Sequence, residues 1–142
     1  MVKFTIIVNE ELIIDENINK FRNKLLNEIS KNTKVIFQKN TPKDSGRSAN
    51  NYKIIKRENE HEIRNDEKHL VWVNNGTGVY GPHHHRIVPK NARVLHFNWK
   101  GKEWFLKSVK GQKGQKFVEQ SMSEVMNSVG NAVIIAKQGT LE

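Results

Sequence analysis

Leu95-His96-Phe97-Asn98-Trp99-Lys100-Gly101-Lys102-Glu103-Trp104-Phe105-Leu106 supplies the strongest local reading in the chain. With Lys100-Gly101 as a two-residue turn, Trp99 pairs with Lys102, Phe97 with Trp104 and Leu95 with Leu106. Those six side chains share one face, while His96, Asn98, Glu103 and Phe105 take the other. One face is almost wholly apolar and the other mostly polar, as a half-buried antiparallel pair requires. A slip of one residue would exchange the faces, so the register is well specified. On this reading Trp99 and Trp104 belong to a core rather than to a base-stacking platform.

Working outward, Lys110-Gly111-Gln112-Lys113-Gly114-Gln115-Lys116 reads as a flexible basic loop. Beyond it Val118, Met122, Val125, Val129 and Ala132 recur at helical spacing, which predicts a helix from about Gln115 to Lys137, ended by Gly139. Upstream, Leu70–Val73 is a short apolar run in a block of strands, and Asn74-Asn75-Gly76-Thr77-Gly78 closes it. Asn51–Arg57 and His61–Asn65 predict a polar hairpin with a solvated tip at Glu58–Glu62. Before these, Thr41-Pro42-Lys43-Asp44-Ser45-Gly46-Arg47 is a loop. Asp44 can close an Asx-turn there, and Gly46 can supply a positive φ. Ile18, Phe21, Leu25, Ile29 and Ile36, with Leu26 beside them, predict a helix over Asp15–Lys39, capped by Asp15 and stopped by Pro42. Val2, Phe4, Ile6 and Val8 alternate as a strand. The order is strand, long helix, antiparallel strands, helix. This is α+β, with the long N-terminal helix and the C-terminal helix packed on a mainly antiparallel sheet.

Composition sets the limits. The chain has 142 residues, 24 Lys and Arg against 15 Asp and Glu, a net charge of +9 and no cysteine. This length fits a single domain over residues 1–140, with Leu141-Glu142 read as a cloning scar. Leu, Ile, Val and Phe account for 39 residues, enough for a lean core. Mean hydropathy is −0.70, and no run approaches a membrane span or a signal peptide. Without cysteine there is no disulfide scaffold, thiolate zinc site or cysteine nucleophile. The charge predicts attraction to polyanions or to an acidic protein surface.

The candidate chemistry is thin. Gly76-Thr77-Gly78-Val79-Tyr80-Gly81 has dinucleotide-site spacing, but no helical period follows it, so a turn between strands is the better account. His83 and His85 could share a face, with His96 as a third ligand, in a metal-dependent hydrolase. Adjacent histidines in an extended segment diverge, however, and an exposed polar loop explains them as well. No serine nucleophile with its base is visible. The sequence therefore predicts no catalytic residue, no cofactor and no metal. The lysines and arginines from Lys53 to Lys116 suit phosphate contacts, and equally suit the protection of strand edges.

Thr41-Pro42-Lys43-Asp44-Ser45-Gly46-Arg47, after a long helix, resembles the P-x-D-T/S-G-R signature of a family of tailed-phage neck proteins. These are minor tail components of siphophages and related prophages. Leu70–Gly78 is similar to the family's Y-V-E-x-G-T segment, and Ile87–Phe97 to its I-x-P-K-x-A-K-A-L-x-F strand. Lys107-Ser108-Val109 followed by Gln115-Lys116-Phe117-Val118 resembles its K-x-V … P-F-L passage into the last helix. The likeness spans roughly Ile18 to Val125. Departures are Ser48 and Ala49 in place of a leucine, Asn74 in place of a glutamate and Lys116 in place of a proline. Val2–Val8 and Val79–His85 lie outside the pattern.

The resemblance implies a structural virion protein, a head–tail connector or tail-completion component without a catalytic centre. It is assembled in the host bacterial cytoplasm and resident in the neck of the virion. The implied partners are other copies in a ring and neighbouring neck, portal-side or tail-tube proteins, with room for non-specific contact with DNA and none with membrane. Ring closure repeats one heterologous contact by rotation. The candidate assembly loops carry Asp44, Ser45, Gly46 and Arg47; Gly76, Thr77 and Gly78; and Lys110, Lys113 and Lys116. For the first two loops a plain turn is an equal reading. The alternative from a different class is a small basic nucleic-acid-binding protein.

Overall fold

The computed structural model describes residues 1–8, 16–138 and 140. Its elements are β1 Val2–Ile7, α1 Glu16–Asn40, α2 Arg47–Asn50, β2 Lys53–Lys56 and β3 Glu60–Asn65. They continue with α3 His69–Asn75, a 3₁₀ turn Gly78–Tyr80, β4 Leu95–Trp99, β5 Lys102–Leu106 and α4 Phe117–Gln138. The class is α+β, as expected. Asp15 as a cap, Gly139 as a helix end and residues 141–142 lie outside the described residues. Two compact units form: Met1–Lys68 with Phe117–Glu142, and His69–Lys116.

In the first unit β3 is central, antiparallel to β1 on one side and β2 on the other. The predicted hairpin is present, but its tip is not where all the carboxylates lie. Glu62 is on the central strand and only 1% exposed, because β1 and β2 flank it. Lys3, Arg57 and Arg64 gather around its carboxylate at 3.4–3.9 Å. The other face of the sheet carries Phe4, His61, Ile63 and Asn65, and α1 lies against it. Phe37 of α1 is fully buried between Phe4 and Tyr52, with ring centroids 5.8 Å from each. Thr41 Oγ1 is 2.6 Å from Tyr52 Oη and donates to the Phe37 carbonyl, tying the helix end to the sheet.

α1 and α4 pack against each other. The buried stripe of α4 is Phe117, Ser121, Val125, Ala132 and Ala136; it keeps the predicted Val125 and Ala132, while Met122 is exposed. Small side chains on that stripe let two helices approach closely, whereas a hydrophobicity pattern ranks methionine above serine. In α1 the buried positions are Arg22, Leu26, Ser30, Thr33 and Phe37, while Ile18 is exposed. A helix covered on two sides buries the seam between its faces, so the single-stripe reading misplaces the core. α4 also starts two residues later than predicted. Gln115 N and Lys116 N donate to the Val73 and Asn74 carbonyls instead, and Lys116 has φ 53°.

Ser30 and His61 meet inside this unit, with Ser30 Oγ 2.7 Å from His61 Nδ1 and 2.6 Å from the Leu26 carbonyl. Burial holds the His61 imidazole below its ordinary pKa, and nearby Lys56 acts in the same sense against a bond toward Leu26. The unfolded chain then takes up the proton first. Stability is therefore full above the unfolded value of about 6.5 and declines as pH falls through and below it. Thermal melts of the wild type should lose Tm from pH 7 toward pH 5 more steeply than those of His61→Gln. Parallel slopes would refute this assignment.

Candidate functional site

The second unit is built on a backbone clasp. α3 ends where Gly76 N donates to the Trp72 carbonyl, and Gly76 turns the chain at φ 88°. Thr77 N then donates to the Gln112 carbonyl at 2.9 Å and Val79 N to the Lys110 carbonyl at 2.8 Å. Gln112 N returns a bond to Thr77 Oγ1 at 3.0 Å. Residues 110–116 are thus bonded along residues 73–79 rather than forming the free loop that composition suggests. The strands of backbone come too close for side chains. A Cβ on Gly78 would lie 2.0 Å from the Lys110 carbonyl oxygen, and one on Gly111 would lie 2.2 Å from that of Thr77.

The clasp brings together Gly76, Thr77 and Gly78 with Lys110, Lys113 and Lys116. Asp44, Ser45, Gly46 and Arg47 belong to the first unit. There Gly46 adopts the expected positive φ of 78°. Ser45 Oγ accepts from Arg47 N at 3.4 Å, and Arg47 Nε stands 3.7 Å from Glu67. Arg47 opens the short helix α2, which the loop reading missed. Asn65, fully buried, donates from Nδ2 to the Ser48 carbonyl and fixes α2 to the sheet.

The apolar run at residues 70–73 is helical, not extended. Leu70 and Asn74 face inward one turn apart, while Trp72 is 62% exposed. A four-residue apolar run carries no period long enough to separate the two states. The Thr77 and Val79 amides of the glycine-rich segment are already bonded within the clasp, and only one 3₁₀ turn follows, so no amide cradle for a pyrophosphate is present there. A cleft of about 380 Å³ opens between α3 and the following segment, lined by Val71, Trp72, Gly76, Pro82, His83 and Ile87. His83 and His85 stack at 5.8 Å, and His96 stacks on Phe105 at 4.4 Å. Among the described residues no three His, Asp or Glu side chains converge.

The β4–β5 hairpin has the predicted register at every pair. Lys100 and Gly101 both take positive φ, 53° and 73°, as a primed hairpin turn requires. The expected burial is incomplete. Trp99 is 52% exposed and Phe105 60% exposed, one from each face, while Trp104 is half-buried. Alternation defines which residues share a face. It does not supply the layer that covers that face.

Charge divides sharply between the units. Residues 69–116 hold nine Lys and Arg and one carboxylate, Glu103, leaving +8 of the total +9. This concentration is countable in the sequence, yet it becomes visible only once the unit boundaries are known. In the first unit cations meet carboxylates: Lys39 with Glu124, Lys53 with Asp66, and three around Glu62. In the second, His96 stands 3.5 Å from Glu103, a pair that is ionic only when the imidazole is protonated. Among the described residues no helix is long and apolar enough to cross a membrane.

Comparison with known proteins returns no match: no family model, no curated protein and no solved structure is significantly similar to this chain.

Proposed function

We propose that this chain is a structural component of a tailed-phage or prophage neck, a head–tail connector or tail-completion protein acting by protein–protein assembly. The motifs from Thr41 to Val118 suggest the family. One structural observation carries the reading further. Among the described residues of 69–116, Leu70 is the one large apolar side chain that is buried, while Val71, Trp72, Tyr80, Ile87 and Val88 are open to solvent. A unit that holds its backbone by a clasp and leaves its apolar side chains open is suited to burying them against neighbours. The first unit has its own open apolar row on α4, at Met122, Met126, Ile134 and Ile135. Two different apolar surfaces suit a heterologous contact that repeats around a ring.

Mass spectrometry of purified particles from the phage or induced prophage that carries the gene tests this reading. The chain is expected in mature virions at a fixed, small ratio to the portal protein. Its absence from virions whose other neck proteins are detected would refute the proposal.

A further inference from the structure

We propose that the tip of the β4–β5 hairpin binds single-stranded nucleic acid, through its phosphates and by stacking of bases. This goes beyond the assembly reading and rests on other residues, so either can fail alone. At the tip, Lys100 Nζ lies 4.6 Å from the Trp99 ring centre, and Lys102 Nζ lies 4.9 Å from that of Trp104. The two indoles are tilted by 55° with centroids 6.5 Å apart. Among the described residues neither lysine has a carboxylate partner, and Glu103, the one acid in the unit, stands beside His96 on the opposite face.

The occupant follows from charge and ring chemistry together. A unit with nine cations and one carboxylate is complementary to a polyanion. Cations alone would suit any polyanion, but the exposed Trp99 indole, with the Lys100 ammonium over its ring, also offers aromatic surface to an unpaired base. A duplex hides its base faces and would use only the charge. Trp104 Nε1 is buried without a hydrogen-bond acceptor among the described residues, so this side chain lacks the internal partner that buried indoles ordinarily have.

Fluorescence anisotropy of the intact chain with a labelled oligothymidylate, its duplex counterpart, heparin and polyglutamate tests the inference. Oligothymidylate should bind tighter than the duplex and quench tryptophan emission. Trp99→Ala should weaken oligothymidylate roughly tenfold while leaving heparin unchanged. Lys100→Ala with Lys102→Ala should lower the log–log salt slope by about 1.4, at about 0.7 per lost phosphate contact. These side chains are exposed or half-exposed, and unchanged melting of each variant confirms that it folds. Equal binding of heparin and oligothymidylate, preference for polyglutamate, or no effect of Trp99→Ala would each overturn the proposal.

Discussion

Replacing Gly78 or Gly111 with alanine is expected to open residues 69–116 while leaving the helix–sheet unit folded. The added Cβ would meet the Lys110 carbonyl oxygen at 2.0 Å or that of Thr77 at 2.2 Å, and both obstacles are backbone, which cannot swing aside. The positions also have φ of 62° and 90°, where a side chain adds strain of about 1–2 kcal/mol. Relief requires the two segments to part, which breaks the Thr77–Gln112 and Val79–Lys110 bonds, each contributing roughly 1 kcal/mol. Little else resists opening, since this unit buries Leu70 and few other apolar groups. Hydrogen exchange should show lost protection at Thr77, Val79 and Gln112, with β3 and α1 unchanged. Gly101→Ala is the control. It has φ 73° but nothing within 4 Å of the new Cβ, so it carries strain alone. Equal effects of Gly78→Ala and Gly101→Ala would show that the clasp is not held by close approach.

Phe37→Ala should be the most destabilising single truncation in the first unit. Phe37 is fully buried, with Phe4 and Tyr52 rings on either side, so the sheet and α1 cannot both close on the vacated volume. Such truncations cost about 3–5 kcal/mol. Against a typical total of about 5–15 kcal/mol, this brings the unit near its unfolding limit. Phe105→Ala removes the same group from a 60% exposed site and should change stability by less than about 0.5 kcal/mol. Urea denaturation followed by far-ultraviolet circular dichroism measures both. A Phe37→Ala midpoint close to that of Phe105→Ala would contradict the placement of the core.

The first strand, the two long helices and the hairpin register were legible because period-2 and period-3.6 patterns, a two-residue turn and Pro42 are local signals, whereas the short helices α2 and α3 were not. The register at Leu95–Leu106 follows from the Lys100-Gly101 turn together with alternation. What covers each face was not legible. The same alternation put Trp99, which is 52% exposed, in a core, and the α4 pattern chose Met122 over Ser121. Both errors have one cause: side-chain hydrophobicity ranks candidates for burial but does not say where a second layer lies. Glu62 was misplaced because its neighbours Glu58 and Glu60 made it look like a hairpin tip, while β1, distant in sequence, makes β3 central. Of the candidate site, Gly76–Gly78 and Lys110–Lys116 were each picked out as loops. Their union into one clasp depends on carbonyl-to-amide bonds between segments some 35 residues apart, as between Thr77 and Gln112, which no local pattern encodes.

The central proposal is that the chain completes a phage neck by assembling with its neighbours. Electron microscopy of lysates from the phage or prophage with this gene deleted tests it most directly. The account predicts DNA-filled heads and separate tails, rejoined when the wild-type chain is supplied in trans. Intact, infectious virions from the deletion strain would contradict it.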